Sequence, residues 1–375
     1  MSTGRPPLAD SYEGLHARAR NLWMMGDLNG AASLYRILVE RLYKLSDRIL
    51  ERRPELRDLH KQARLELTGL LHGEGRYAEA IEVEEVLLQT HPDDALLWRR
   101  DLARLRVAKG DVDAGLAEMR TIATEAPDDA NNWLALGIEA RIEGRFVESE
   151  KAFEQALAAC PAQETETLAQ IHYQRFLLYK KMGRIDDAMA AWETAVKDDA
   201  EAENTINDVY TMLTDVGRYS EAIQYVERDE NYLQAEFQRG LIASLTGRLY
   251  DAQQAWERVA DEDPDEYEYG QEAWVEAVLR TGHEEQALEW LQENLAHHDG
   301  SLRMFVLTGI AWAMRDDVEL AARFFQQAIN AVRHARPPKH KLDSADWRLL
   351  DALVSNPETK KALKTYFAVV ETLWV

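Results

Sequence analysis

Four places along the 375-residue chain carry side chains that could do chemistry. His283-Glu284-Glu285 opens like a zinc-protease helix, in which two histidines one turn apart hold the metal beside a catalytic glutamate. The second histidine is missing, because Ala287 stands in its place. His297-His298 are adjacent, and neighbours on a helix point in different directions, so they do not share a metal. Cys160 is the one cysteine, which excludes an internal disulfide, and no histidine follows at a spacing that would activate it. The run Asp261-Glu262-Asp263-Pro264-Asp265-Glu266 lacks the glycine and the ligand spacing of a calcium loop. Glycine-rich phosphate loops and the G-x-S-x-G nucleophile turn are absent. The expectation is a chain that is not an enzyme and has neither cofactor nor metal site.

What would position such residues is a set of repeated helices. A glycine followed by a polar residue recurs at Gly26, Gly75, Gly110, Gly144, Gly183, Gly217, Gly247 and Gly282, and Asp316-Asp317 continues the series without the glycine. Five of the eight intervals are 34 or 35 residues. Five positions after each mark lies a small residue, from Ala31 and Ala80 through Gly115 and Ser149 to Ala321. Nine positions after lies a large one, such as Tyr35, Phe153, Trp192, Trp256 and Phe325, with Glu84 as the exception. Seven positions before, small or packing residues recur (Ala19, Ala103, Gly137, Gly240, Gly309), with Thr68 as the polar outlier. Apolar spacing of three and four in between is helical. The glycine ends a first helix in a left-handed turn. The small residues let two helices approach, and the large residue is expected to fill the gap between one pair and the next. Pro92, Pro127, Pro161 and Pro264 stop second helices.

Net charge is −23, and it is uneven. Residues 1–110 hold 18 basic and 17 acidic side chains, whereas residues 185–300 hold 7 and 29. So negative a field disfavours nucleic acid, whose binding rests on phosphate neutralisation. No apolar run is long enough to cross a bilayer, and residues 1–10 have no secretory core, so a cytoplasmic location and no membrane association are expected.

The pattern resembles the tetratricopeptide repeat. Trp133, Leu136, Gly137, Gly144, Phe153, Ala156 and Pro161 match nearly the whole signature, and Gly75 through Ala80 with Pro92 matches again. The resemblance covers about residues 12–330. It implies an all-α, right-handed superhelical solenoid of about nine helix hairpins, with first helices lining a concave groove. The expected organisation is a tail over 1–10, the array over 11–332, a basic linker over 333–342 and capping helices over 343–375, the last running from Pro357 to about Trp374. Three irregularities stand out. The first interval is 49, which suggests an extended second helix through Leu38, Leu42, Leu45 and Ile49 to Pro54. Residues 162–167 read as a longer loop. The interval from 217 to 247 is four residues short, with its second helix ending by Asp229-Glu230.

The resemblance also implies which residues face the groove. Arg100, Arg104, Arg141, Lys180 and Lys181 would form a basic strip beside Tyr173, with Phe237 and Leu241 as an apolar stretch further on. Arginine suits forked binding of carboxylates. The expected function is a scaffold or adaptor that holds a protein or peptide partner, with an acidic segment in the groove. The strip's rival reading is local pairing with acids such as Asp101 or Glu143. The rival functions are a self-assembling structural protein, which would be a homo-oligomer, and the regulatory subunit of a separate enzyme.

Overall fold

A computed structural model describes residues 11–295, 301–332 and 340–368. All 21 α-helices among them belong to two compact units, up to Glu164 and from Thr165 onward. In the first unit the hairpins are α1 (Tyr12–Met24) with α2 (Leu28–Tyr43), α4 (Glu55–Gly73) with α5 (Tyr77–Thr90), α6 (Ala95–Lys109) with α7 (Val112–Glu125), and α8 (Ala130–Ile142) with α9 (Phe146–Ala159). A short α3 (Asp47–Arg52) lies between the first two. In the second unit they are α10 (Thr165–Met182) with α11 (Ile185–Asp198), α12 (Ile206–Asp215) with α13 (Tyr219–Val226), α14 (Tyr232–Leu245) with α15 (Leu249–Ala260), α16 (Gln271–Arg280) with α17 (Glu284–Asn294), and α18 (Leu302–Met314) with α19 (Val318–Ala331). Two further helices follow, α20 (Ser344–Leu353) and α21 (Pro357–Leu363).

All nine marked turns take the same form. The eight glycines have φ between 70° and 109°, and Asp316 adopts φ 62° in their place. The residue after each mark donates its amide to the carbonyl five positions back, as Arg145 does to Ala140 at 2.8 Å and Asp317 to Trp312 at 3.0 Å. This bond caps carbonyls that the first helix leaves open. Asp316 accepts the conformation that costs most other side chains energy, and its Oδ1 accepts a hydrogen bond from Thr359 of α21 at 2.7 Å.

The small and large positions meet inside each hairpin. A Cβ on Gly137 would lie 2.4 Å from the ring of Phe153, on Gly240 2.4 Å from Trp256, and on Gly309 2.4 Å from Phe325. The large residue nine after the turn therefore packs on the residue seven before it, in its own hairpin, and does not primarily fill the gap to the next pair. Antiparallel helices joined by a tight turn bring those two positions level, and a missing Cβ opens the seat for the ring. Such fully buried rings each contribute roughly 1.5–3 kcal/mol of burial.

Three of four irregular places depart from expectation. The extended second helix breaks after Tyr43 and restarts at Asp47, with Ser46 at the new N-terminus. Leu38 and Leu42 of its apolar stripe are buried in the unit's own core, and Leu45 and Leu50 pack against that core. Most of the stripe thus serves the chain's own packing, while Ile49 is 42% exposed. The loop over 162–167 is shorter than its sequence suggests, because α10 already starts at Thr165. The short repeat's second helix ends at Val226, before Asp229-Glu230 as expected, and Asp229 accepts from Tyr210 at 2.9 Å and caps the amide of Asn231. Finally, the last helix stops at Leu363, after which a 3-10 turn leads to Phe367. Phe367 packs on Phe325 of α19 and on Trp347 of α20 and bridges to Leu342. Trp374, His297-His298, the tail over 1–10 and linker residues 333–339 lie outside the described residues.

Candidate functional site

Apolar residues face inward between helices, so what a hairpin offers a partner is the outer face of its helices. On the first helices of unit one this face is charged and cross-braced. Arg100 of α6 donates to Asn132 Oδ1 of α8 at 3.3 Å. Arg104, one turn on, donates its Nε to Glu139 of α8 at 3.3 Å and lies 4.0 Å from Asp101. Glu139 is 2% exposed, whereas the Arg104 side chain is 54% exposed. A buried acid thus pins an open cation. Arg141 is half-buried at the end of α8. Upstream on the same face His16 of α1 meets Glu66 of α4 at 2.6 Å.

Unit two repeats the device. Asp208 of α12 accepts from Tyr173 at 2.7 Å and from Lys180 at 3.1 Å, both on α10, and the Lys180 ammonium lies 5.7 Å from the centre of the Phe176 ring. Lys181 is exposed. Phe237 and Leu241 depart from expectation. Phe237 is buried in the core and Leu241 is packed against it, with the Arg280 guanidinium 6.0 Å from the Phe237 ring. They stabilise the hairpin stack and do not present an apolar patch to a partner.

Within each unit the cations are therefore both paired and partly open. Their partners are 28, 32 and 35 residues downstream. That is about one repeat, so residues a period apart come side by side on consecutive first helices. The expected neighbour Asp101 plays a minor part, and the principal acids Glu139 and Asp208 were findable from the period alone.

One cluster was not foreseen. Thr68 and Glu84, the two outliers of the packing pattern, meet each other: Thr68 Oγ1 donates to Glu84 Oε2 at 3.0 Å. Glu84 is fully buried and its Oε1 has no hydrogen-bond partner. Burial, reinforced by the negative charge of Asp101, pushes its pKa up to about 7, against the opposing pull of Thr68 and Arg64. One turn and two turns before Thr68 stand Arg64 and His60, 5% and 7% exposed, joined at 2.8 Å. Burial and the Arg64 charge drive His60 down to about 4, and burial lowers Arg64 to about 10. A polar stripe thus runs down α4 where other repeats have an apolar one.

The residues first inspected for chemistry are occupied structurally. Glu262 accepts from Tyr267 at 2.8 Å, and Asp265 accepts from Trp290 at 2.9 Å. His283 contacts Thr281 at 3.1 Å, and Cys160 is partly buried. Among the described residues no three His, Cys, Asp or Glu side chains stand close enough to hold a metal ion. No helix among them is long and apolar enough to cross a membrane.

Comparison with known proteins agrees with this architecture. Two tetratricopeptide-repeat family models match, one over residues 16–95 and one over 71–137. No curated protein sequence matches. Among solved structures, a tetratricopeptide repeat protein from Parabacteroides merdae is 15% identical, covering 72% of this chain and 98% of that one, with a TM-score of 0.44. The APC/C hetero-tetramer Cut9-Hcn1 is 12% identical over 92% and 76%, with a TM-score of 0.38. YrrB, described as a tetratricopeptide protein with an unusual peptide-binding site, is 15% identical over 57% and 91%, with a TM-score of 0.27. At such scores none of these likenesses bears on what this chain binds. The repeat matches over residues 16–137, continued by the same turn through nine hairpins, make the chain a member of the tetratricopeptide repeat family, an all-α solenoid.

Proposed function

We propose that the chain is a non-catalytic scaffold that binds an acidic segment of a partner protein along the outer faces of its first helices. Tetratricopeptide repeats are generally protein-interaction modules without catalysis. The observation that carries the finer reading is the pinning of partly open cations by buried or half-buried acids. Arg104 on Glu139, and Lys180 on Asp208, are held in place yet reachable. A side chain fixed in advance loses less entropy on binding. Five guanidinium donors exceed what one acid consumes, which leaves Arg100 and Arg104 donors for a ligand carboxylate.

Arg100→Glu, Arg104→Glu and Lys180→Glu together should abolish capture of a specific partner from native lysate. Each reversed charge costs several kcal/mol against a complementary surface. Circular dichroism would confirm that the variant is still helical. Undiminished capture by a folded variant would refute the assignment of these faces. Light scattering addresses self-assembly: a mass of one chain at all concentrations is expected.

A further inference from the structure

Between residues 185 and 300 only seven basic side chains stand against 29 acidic ones, and three of the seven line one cavity. This cavity, about 430 Å³, lies within unit two, between the shortened α13, α14 and α15. Arg239 comes from α14, Arg248 from the turn, and Arg258 from the end of α15; Tyr250, Ile223 and Ala255 supply apolar wall. Tyr250 is 76% exposed at its edge.

Arg248 differs from its counterparts in the repeat. An arginine follows the turn glycine at Arg76, Arg145, Arg184, Arg218 and Arg248. The first four each hydrogen-bond a carboxylate: Arg76 on Glu79, Arg145 on Asp113, Arg184 on Asp187, and Arg218 on Glu221 and Asp186. Asp113 and Asp186 belong to the preceding hairpin, three residues after its glycine. That position is Ser220 before Arg248, and it is likewise uncharged before Arg76 (Asn29) and Arg184 (Val147), which instead bond the acid three residues on, in their own hairpin. Arg248 is left with Thr246 at 3.2 Å and an Asp251 contact at 3.7 Å. Its two companions are oriented by a buried acid. Glu236, 4% exposed, accepts from Arg239 Nη1 at 2.7 Å and from Arg258 Nε at 2.8 Å. Arg239 Nη2 and Arg258 Nη1 remain without a protein partner among the described residues. The shortened α13 and the weakly paired Arg248 thus lie beside the same cavity.

We infer that this cavity is a binding site for a phosphate monoester whose organic body rests against Tyr250 and Ile223. Two guanidinium groups held by Glu236 and a third that is weakly paired match the three acceptor oxygens of a phosphate monoester better than the two of a carboxylate. The three arginines outnumber Glu236 and Asp251, so the site has positive local charge inside an acidic half.

Phenyl phosphate is the direct probe, titrated against the full chain by calorimetry and phosphorus NMR, with benzoate and inorganic phosphate alongside. Saturable binding of phenyl phosphate is expected, tighter than that of benzoate. Arg248→Gln should weaken it about tenfold or more, the effect of losing charged hydrogen bonds. Arg145→Gln, at the equivalent turn of the fourth hairpin, should leave it unchanged. Tyr250→Glu, an exposed position whose change leaves the fold alone, should also weaken it. Inorganic phosphate should bind more weakly than phenyl phosphate. The inference is overturned by absence of saturable binding, by benzoate binding as tightly, or by equal losses in Arg248→Gln and Arg145→Gln.

Discussion

Glu84→Gln is expected to raise the melting temperature at pH 8 and to leave it unchanged near pH 4.5. The buried carboxyl takes its proton at about pH 7 when folded, against an ordinary value of 4.5. A raised folded pKa contributes stability that is complete below the unfolded value and is lost as pH rises through the folded one. Above pH 7 the native protein must either ionise a fully buried group or hold its proton at a cost. The difference corresponds to about 3 kcal/mol, or roughly 6–12 °C for a unit of this size. Glutamine keeps the shape and the Thr68 hydrogen bond and never ionises. The gap between variant and native protein should therefore open between pH 4.5 and 7 and then stay constant. His60 acts in the opposite sense: driven down to about 4, it contributes stability above pH 6.5 that is lost as pH falls. In the native protein the two slopes offset each other over the window they share, and Glu84→Gln exposes the one from His60. Scanning calorimetry across pH 4–8 measures both. An equal effect of the substitution at pH 4.5 and pH 8 would show that Glu84 is already ionised in the fold.

The second large effect concerns the end of the array. Glu276 of α16, 7% exposed, receives Arg280 at 2.6 Å and also Arg303 of α18; Arg303 in turn reaches Asp346 of α20 at 2.7 Å. One arginine therefore ties three alternate helices, α16, α18 and α20. Burial works against ionisation of Glu276, but the Arg303 and Arg280 charges more than offset it and hold its pKa low. Arg303→Met keeps the aliphatic stem and removes the charge. Leaving a buried acid short of its partner costs about 3 kcal/mol or more; Arg280 remains to hold the loss near that lower figure. The expected result is a fall of roughly 6–12 °C in melting temperature, with faster proteolysis within residues 340–368. Adding Glu276→Gln should restore part of the loss, since the two changes share one network. Absence of any such recovery would separate the two residues energetically.

Much of the fold was legible because the repeat is a local code. The turn glycines report a backbone conformation that few other residues take, and even Asp316 was readable from its place in the series. The partner of the plus-nine residue was not, because the period places that residue equally well against its own hairpin or the next. Only the absent Cβ of Gly137 under Phe153 decides between them. Helix ends were misread where capping chemistry outweighs apolar spacing: Ser46 restarts a helix inside what looked like one long stripe. The candidate site was half legible. Cation positions followed from the resemblance, but their acids, a period away, were sought among sequence neighbours. Thr68 and Glu84 looked like two separate exceptions; that each explains the other is a fact of tertiary contact. Phe237 failed as a surface residue because an apolar ring on a first helix serves the core equally well.

The central claim, that recognition belongs to the first-helix faces, is tested most directly by site-specific photo-crosslinking in native lysate. A photoreactive residue replaces Arg104 or Lys181 in one pair of proteins, and Arg120 of α7 or Glu257 of α15 in another. Adducts with one partner protein are expected from positions 104 and 181 and not from 120 or 257. Adducts only from the second-helix positions, or only with further copies of the chain, would contradict it.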